Sequence, residues 1–460
     1  MGSLKVLLVV YAFPPAGGVG TLRAASLARY FPAEGIQLDV LTTRNPSSVG
    51  KDLSLLKDIP AEVTVHRTIT LDLPFGVKKR LKAMLSGNKP ALPKAQATSS
   101  AEKPGLLKRI IQNALLPDPQ VTWLPVLTRA ARRIVRERKI DLVLITGAPY
   151  SDYLLAKRLR KTFPELPIVL DFRDEWLATA FEVAAFQFSS STEHARSFAI
   201  KAEAEAVASS NAVVMVTDAA RREIHSRYPN DPDAKYHHVP NGYDATRLQT
   251  SPRATSLRAP GKIIVTYVGS IYASTEPTAF VRALHMLPPE IKAQYTFRFI
   301  GHVEELRDRE ALLSLGNMVE LKGYMPQNEA LKLMDDTDYV LLISHDRLNV
   351  SAKFYDYIGA GKPILACVHP AGDIRLMIEE LRAGWWAAND DVEAITKLFL
   401  DTALCGDSRL RSFQPDSAKI AQYERKPIAQ RYAALLHSIA ASARSEHVAL
   451  KDAQSVRETR

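Results

Sequence analysis

Residues 338–367 read DYVLLISHDRLNVSAKFYDYIGAGKPILAC. The apolar run at 339–343 predicts a buried strand, and the polar residues after it predict a loop. A short helix is predicted to begin near Ser351, and a second strand is predicted from Pro363. The same strand–helix–strand pattern recurs along the chain and therefore decides the fold class.

The predicted helix in this stretch carries Lys353 and Asp356, three residues apart, so both would lie on its polar side. Unpaired helix N–H groups and an ammonium can hold a diphosphate, and a carboxylate can accept hydrogen bonds from a ribose diol. The arrangement suits a sugar nucleotide. The alternative is an ordinary strand–helix unit with a solvated charge pair, and this segment alone does not decide between them.

Strands and helices alternate in both halves of the chain. In the first half, strands are predicted at 4–13, 36–43, 140–147, 167–172 and 212–217, with helical patterns between them. After a polar, proline-containing linker at 251–262, the pattern restarts with strands at 263–270, 295–301 and 319–324. Near-continuous apolar strands that alternate with helices indicate parallel sheets covered on both faces. A chain of 460 residues also exceeds one ordinary core. We therefore predict an α/β protein with two Rossmann-like, doubly wound domains.

The predicted domain boundaries follow this pattern. They are an N-terminal domain over 1–245 with a basic mobile insertion at about 77–118, a C-terminal domain over 260–422, a terminal helix over 425–440 and a disordered tail over 441–460.

Composition is that of a soluble globular protein, with 46% hydrophobic and 24% charged residues. No apolar run approaches the roughly 18 residues that span a bilayer. The first 13 residues have only Lys5 as a positive flank, so a first strand fits them better than a signal peptide. Two cysteines make neither a disulfide framework nor a zinc site. We expect a cytoplasmic protein.

Positive charge is concentrated within residues 77–139. Residues 77–109 hold nine Lys or Arg against the single acid Glu102, and a second basic cluster covers 129–139. Such clusters attract nucleic acid or acidic lipid. Aromatic residues are not interleaved with the basic ones, which favours a membrane over nucleic acid. A solvated insertion is the alternative. The helical pattern at 105–116 could equally lie in a membrane interface or pack on the domain.

Ligands of open parallel sheets bind at the carboxyl ends of the strands. After the first strand come Gly17 and Gly18, which allow backbone N–H groups to approach a phosphate or a sugar. Their spacing is not that of a dinucleotide fingerprint, and no acid ends the second strand, so a dinucleotide site is disfavoured. Motifs typical of P-loops, zinc proteases and serine hydrolases are also absent from the sequence.

Other predicted strand ends carry polar groups. Asp171, Arg173 and Asp174 follow one N-terminal strand, where the alternative is an internal Arg173–Asp174 salt bridge at a helix start. Gly269 and Ser270 follow the first strand of the second domain. His302, after a later strand, is better interpreted as a satisfied loop histidine than as a catalyst.

Seven segments in order carry a family resemblance: YAFPPAGGVGTLRAASLARYF, LPDPQVTWLP, PIVLDFRDEW, VPNGYD, YVGSIY, LKGYMPQNEALKLMDDTDYVLL and SAKFYDYIGAGKPILA. On these segments the chain resembles the retaining GT-B glycosyltransferases of family 4, particularly the bacterial exopolysaccharide and cell-envelope branch. The resemblance implies two Rossmann-like domains with a cleft between them. The C-terminal domain would hold a nucleotide-sugar donor and the N-terminal domain the acceptor, and the terminal helix would cross back to the N-terminal domain.

The resemblance also implies donor-binding residues. Asp356 matches the second carboxylate of the family's two-glutamate motif, whereas Leu348 stands where the first would be. Ser270 follows Gly269 without the basic pair that most relatives carry there. Lys353 and the helix N-terminus would therefore supply the charge for the diphosphate, which is physically adequate.

Other positions match by alignment as well. Gly17 and Gly18 would approach the donor, and Tyr324 aligns with the loop that touches the nucleobase. Arg173 replaces a cleft histidine of many relatives, so the catalytic candidates are Asp171, Arg173, Asp174 and Lys353.

The function implied is transfer of a hexose-type sugar, with retention, from a nucleoside-diphosphate-sugar to a lipid-linked or oligosaccharide acceptor in bacterial surface polysaccharide synthesis. No carboxylate cluster for a metal is evident, so neither a metal nor another cofactor is expected. The protein would lie peripherally on the anionic inner face of the cytoplasmic membrane and would bind no nucleic acid. The alternatives are a nucleotide-sugar epimerase on the same fold and a non-catalytic nucleotide- or saccharide-binding protein.

Overall fold

The computed structural model describes residues 3–46, 50–70, 113–178, 193–248, 262–325 and 327–458. Most of the insertion predicted at about 77–118, most of the 105–116 helical pattern and nearly all of the 251–262 linker lie outside these residues. Those expectations therefore stay predictions.

The chain divides into two compact units. The first comprises Met1–Met215, Ile224–His238 and Ala429–Arg460, and the second comprises Val216–Glu223 and Val239–Ile428.

The first unit contains a seven-stranded sheet. Its strands are β1 (Leu4–Val9), β2 (Ile36–Thr43), β3 (Thr64–Thr68), β4 (Leu142–Gly147), β5 (Ile168–Phe172), β6 (Ala212–Met215) and β7 (Tyr236–His238). They lie in the order β3-β2-β1-β4-β5-β6-β7, and every pair is parallel. Helices of this unit are α1 (Val19–Tyr30), α2 (Leu124–Arg138), α3 (Leu154–Thr162) and α4 (Glu193–Ala208). A further helix, α5 (Asp218–Arg227), includes residues of both units.

The second unit contains a six-stranded sheet. Its strands are β8 (Ile263–Val268), β9 (Tyr295–Ile300), β10 (Val319–Gly323), β11 (Tyr339–Ser344), β12 (Ile364–Val368) and β13 (Gly384–Ala388). Their order is β10-β9-β8-β11-β12-β13, again parallel throughout.

Helices of the second unit connect these strands and follow the last one. They are α6 (Thr278–Met286), α7 (Pro289–Lys292), α8 (Leu306–Leu313), α9 (Gln327–Leu333), α10 (Ala352–Gly359), α11 (Asp373–Leu381), α12 (Val392–Cys405), α13 (Asp407–Arg411) and α14 (Ser417–Ala421). The final helix of the chain, α15 (Arg425–Glu458), begins in this unit.

The central strands of each sheet are apolar, and helices cover and bury them. Every residue of β4 and β5 is buried. In the second unit, aromatic rings of β9 pack edge-to-face on helices: the Phe297 centroid lies 5.3 Å from that of Phe280 on α6 and 5.5 Å from that of Phe399 on α12. Such edge-to-face pairs add to the stabilisation from buried area. These two sheets confirm the predicted α/β class with two Rossmann-like domains.

The last helix packs on the first unit. From Ala429 onward its residues belong to that unit. Tyr432 meets Phe31 edge-to-face at 6.0 Å, and His437 Nε2 lies 3.0 Å from the carbonyl of Glu34. The helix continues to Glu458, although composition predicted a disordered tail from residue 441. The residues beyond 441 include many good helix formers (Ala, Leu, Arg and Glu), so helix propensity outweighs their polarity.

No helix in the described ranges combines the length and apolar character needed to cross a membrane.

Candidate functional site

Lys353 and Gly269 lie against each other at the carboxyl end of β8. A Cβ atom placed on Gly269 would stand 3.2 Å from both Cε and Nζ of Lys353. Gly269 has φ 129°, a conformation that side chains other than hydrogen rarely permit. The glycine thus serves two needs, the turn after β8 and the space for the lysine ammonium.

Helix α10 holds Lys353 in this position. Its apolar face, which includes Phe354 and Ile358, is buried in the second core. The Tyr357 hydroxyl on the same helix accepts a 2.9 Å hydrogen bond from the Val268 N–H. This bond ties the helix directly to the end of β8.

The environment of the Lys353 ammonium is tight and partly aromatic. Nζ donates a hydrogen bond to the Tyr267 hydroxyl and lies 4.1 Å from the centroid of that ring. Burial lowers the pKa of Lys353 from 10.5 to about 8, and a smaller electrostatic contribution from Tyr272 opposes the shift. A bound anion would stabilise the ammonium further, because an opposite charge favours the protonated form.

The loop before α10 carries polar side chains near the start of that helix. The Asp346 carboxylate accepts hydrogen bonds from the N–H groups of Leu348 and Asn349, at 2.8 and 2.9 Å, and so fixes the loop. Within the part of the chain that the structure describes, Asn349 Oδ1 and Ser351 Oγ are buried and have no hydrogen-bond partner. Buried polar atoms are normally satisfied, so the Ser351 hydroxyl keeps an unused donor and the Asn349 amide oxygen an unused acceptor near the start of the helix.

The other predicted donor residues lie in the same unit. Asp356 is half-buried one turn after Lys353, and Ser270 is half-buried directly after Gly269, with its carbonyl accepting a 3.0 Å hydrogen bond from the Tyr267 hydroxyl. Leu348 is 6% exposed. The side chain that the resemblance aligns with the first carboxylate is therefore buried and apolar.

Tyr324 and His302 form an exposed aromatic pair. Tyr324 is 71% exposed, and its ring stacks on that of His302 with centroids 5.3 Å apart and planes 5° apart. His302 follows β9 and Tyr324 follows β10, two neighbouring strands. The sequence predicts a satisfied loop histidine at position 302 and does not predict this stacking. Its position after a strand end, like that of Tyr324, was the signal that could have found it.

In the first unit, Arg173 organises the loops at strand ends. Its guanidinium donates to the carbonyls of Gly147, Ala148 and Gly20. Gly18, with φ 98°, precedes the first residue of α1, and the Gly17 N–H donates to the carbonyl of Gly50 at 3.0 Å. Arg173 therefore joins the start of α1 to the loop after β4.

Asp171 has a structural environment. It is fully buried, and its carboxylate accepts hydrogen bonds from Arg23 Nη2 at 2.7 Å, Arg23 Nε at 2.9 Å and Thr146 Oγ1 at 2.7 Å. A bidentate pair with these contacts leaves little of the carboxylate for a substrate. We therefore replace the catalytic expectation for Asp171 with a role in holding β5 to α1.

The rest of the acidic cluster divides between two environments. Asp174 is half-buried. Glu175 is buried and pairs with Arg227, which also donates to Glu203 at 3.0 Å. Burial raises the pKa of Glu203 to about 7. The charges after β5 thus serve mainly the interior of the first unit.

The geometry brings Gly269, Ser270 and Lys353 together, with Asp356 a turn further on the same helix. An ammonium, a helix N-terminus and the Ser351 hydroxyl, which can donate, form an anion-binding arrangement. Across the described ranges, no group of three or more His, Cys, Asp or Glu residues is placed to hold a metal ion.

Two family sequence profiles match the chain. The one described as Glycosyltransferase Family 4 matches residues 90–247, and the one described as Glycosyl transferases group 1 matches residues 262–402. Together they span more than half of the chain. No curated protein matches it in sequence.

Solved structures share the fold at low identity. Sucrose-phosphate synthase from Thermosynechococcus elongatus has a TM-score of 0.64 at 14% identity, covering 96% of this chain and 100% of that one. Trehalose 6-phosphate synthase from Burkholderia multivorans has 0.61 at 14%, covering 97% and 99%. Anabaena HepE in complex with UDP and glucose has 0.60 at 15%, covering 95% and 100%.

The two profiles fall one on each parallel sheet, in the order expected of an N-terminal and a C-terminal glycosyltransferase domain. The solved structures are similar over nearly the whole length of both chains. The chain therefore is a glycosyltransferase enzyme with the GT-B fold.

Proposed function

We propose that this glycosyltransferase moves a hexose-type sugar, with retention, from a nucleoside-diphosphate-sugar to a lipid-linked or oligosaccharide acceptor in bacterial surface polysaccharide synthesis. The observation that carries the donor assignment is the contact between Lys353 and Gly269 beside the N-terminus of α10. Such a site combines one ammonium with helix N–H groups, both of which stabilise diphosphate charge.

Catalysis would depend on the leaving group. In a same-face displacement, the acceptor hydroxyl attacks the anomeric carbon as the bond to the diphosphate breaks, and a departing phosphate oxygen takes the acceptor's proton. Lys353 would stabilise the charge that develops on this diphosphate. Asp356 would accept hydrogen bonds from the ribose, and the Tyr324–His302 pair would stack on the nucleobase. With these groups, the proposal requires neither a metal nor another cofactor.

Anabaena HepE was solved with UDP-glucose. UDP-glucose is accordingly the first donor to test. The acceptor would bind the first unit, where Gly17, Gly18 and Arg173 shape the loops at strand ends. Arg173 would act by positioning these loops, since its three donors are directed at backbone carbonyls. Asp174 stays a catalytic candidate.

A lipid-linked acceptor lies at a membrane. We therefore infer a cytoplasmic protein that attaches peripherally to the anionic inner face of the cytoplasmic membrane. The basic cluster at 129–139, on and just after helix α2, supports this location by its charge.

Mass spectrometry of products tests the proposal. Purified protein is incubated with a panel of sugar nucleotides that begins with UDP-glucose, with and without lipid-linked and soluble saccharide acceptors. The expected result is an acceptor heavier by one sugar residue, and NMR of the new anomeric centre should show the donor's configuration. Inversion at that centre would refute the retaining mechanism. An isomerised sugar from donor alone, without transfer, would identify an epimerase instead.

A further inference from the structure

A groove lined by arginine lies on one side of the first unit. Helix α2 contributes Arg129, Arg132, Arg133 and Arg136, and helix α3 contributes Arg158. The groove encloses about 680 Å³.

The charge of this groove is strongly unbalanced. One acid, Glu137, lies among its lining residues, and its carboxylate is 3.8 Å from Arg133 Nε. The arginines of α2 follow each other at spacings of three and four residues, which place like charges side by side at a cost to the helix. Burial lowers the pKa of Arg158, and the charge of Arg132 lowers it further. An anion in the groove would relieve this repulsion.

The floor of the groove is preorganised. Arg132 Nη2 donates to the Arg158 carbonyl at 3.2 Å, and Arg158 Nη1 donates to Thr128 Oγ1 at 3.4 Å. The Arg136 guanidinium lies over the Phe163 ring, 5.3 Å from its centroid. Among the residues that the structure describes, the buried Arg132 Nε has no hydrogen-bond partner. A donor without a partner, held between fixed guanidinium groups, suits an oxyanion.

The groove is separate from the strand ends that form the candidate site. Near the C-terminal end of α2, Arg138 Nε lies 3.1 Å from Asp39 Oδ1, in the amino-terminal half of β2. Helix α2 therefore runs down the side of the sheet, away from the carboxyl ends where ligands of parallel sheets react. A ligand in the groove would hold the protein in place and would not take part in transfer.

We propose that this arginine groove binds the headgroup phosphates of acidic phospholipids and docks the first unit on the membrane. The proposal deepens the proposed function, on which it rests for the expectation of a membrane-borne acceptor. Guanidinium forks bind phosphate oxygens in pairs, and a stripe over two helical turns, about 10 Å long, reaches more than one headgroup. Val126, 42% exposed and one turn before Arg129, adds an apolar contact to the same helix face.

Vesicle sedimentation of the full chain tests the proposal. We expect binding to vesicles of phosphatidylcholine and phosphatidylglycerol in equal amounts, and little to phosphatidylcholine alone. The triple variant Arg129→Gln/Arg133→Gln/Arg136→Gln should partition on the order of a hundredfold more weakly, because each basic residue at an acidic surface contributes about fivefold. Wild-type binding should also weaken steeply with salt.

A matched variant separates the groove from net charge. Arg307→Gln/Arg382→Gln/Lys397→Gln removes the same charge from exposed positions of the second unit and should bind vesicles like the wild type. Equal loss in both variants would overturn the proposal, as would binding that is indifferent to acidic lipid. Saturable binding of inorganic pyrophosphate that needs the three arginines, without vesicle binding, would assign the groove to a free phosphate. Arginine-dependent binding of RNA in place of vesicles would likewise refute the lipid.

Failure of the proposed function remains distinguishable. Arginine-dependent vesicle binding without any sugar transfer would preserve the groove and refute the transferase mechanism proposed above. Transfer to a soluble acceptor with no vesicle binding would support the transferase mechanism and refute lipid binding by the groove.

Discussion

The ammonium of Lys353 packs against Gly269, because a Cβ at position 269 would lie 3.2 Å from Nζ. The two residues are 84 positions apart in the chain, yet the end of β8 and the start of α10 bring them into contact.

Replacing Lys353 should impair transfer more than folding. In the Lys353→Ala variant, we expect kcat/KM for the donor to fall about a hundredfold, because one preorganised donor to developing charge is lost. The unfolding free energy should stay equal or rise by about 1 kcal/mol, since a half-buried ammonium is removed. Steady-state kinetics and thermal unfolding measure the two effects. Lys397→Ala, at an exposed lysine of the same unit, is the control. Near-normal kcat/KM in Lys353→Ala would refute the phosphate role.

The Lys353 ammonium should give donor binding a pH limit. Because its folded pKa is about 8, the free protein loses this charge as pH rises through 8, and kcat/KM for the donor should fall above that pH. The unfolded chain has the ordinary pKa of 10.5 and binds more protons between the two values, so the lysine's contribution makes stability rise with pH there. In Lys353→Arg, the decrease in kcat/KM near pH 8 should disappear, because arginine stays protonated. If this decrease persists unchanged in the variant, another titrating group causes it.

Gly269→Ala should weaken donor binding and stability together. The φ of 129° strains any side chain, and the added Cβ would push against the lysine ammonium. We expect a loss of about 2 kcal/mol in unfolding free energy and a higher KM for the donor. Gly316→Ala supplies the comparison, because Gly316 also has a positive φ, 61°, but open space around its Cβ position. If both variants keep the wild-type KM, the contact between Gly269 and Lys353 does not serve the donor.

Asp171→Asn should destabilise the protein rather than abolish its chemistry. The change leaves the buried Arg23 guanidinium without its charge partner, at a cost of about 3 kcal/mol. Chemical denaturation measures this loss. At a temperature where the variant is folded, kcat per folded molecule should remain within about tenfold of the wild type. A far larger drop in kcat at full folding would restore the catalytic assignment.

Restoring a carboxylate at position 348 should not improve the enzyme. Leu348 is buried, so Leu348→Glu places an acid at a buried position and should cost about 3 kcal/mol. Leu348→Met, which keeps the volume, should cost about 1 kcal/mol or less. Differential scanning calorimetry compares them. A Leu348→Glu variant of wild-type stability and higher kcat/KM would mean that the side chain can reach the sugar.

The sequence predicted the central strands of both sheets well, and the reason is physical. Strands such as β4 and β5 are buried on both faces and read as continuous apolar runs. The edge strands β3, β7 and β13 were missed. The residues of β3 are all half-buried, and β13 contains one buried residue, so neither carries that signal.

The candidate site was predictable in part for a related reason. Gly269, Ser270 and Arg173 could be predicted because they follow the ends of predicted strands. Lys353 and Asp356 could be paired because they lie three residues apart on a predicted helix. The role of Asp171 depended on Arg23, a residue 148 positions away, and no local pattern reveals such a partner. Likewise, neither the stacking of Tyr324 on His302 nor the burial of Leu348 is a property of neighbours in sequence.

The position of helix α15 has a consequence for synthesis. Tyr432 packs against Phe31, and its ring centroid lies 5.5 Å from the Arg23 guanidinium, but it is synthesised 401 residues after Phe31. On the ribosome, the N-terminal sheet must therefore wait until the residues from Ala429 onward have emerged before its packing is complete. Until then the apolar surface around Phe31 stays uncovered, so a message truncated before codon 429 should yield a nascent protein that depends on chaperones.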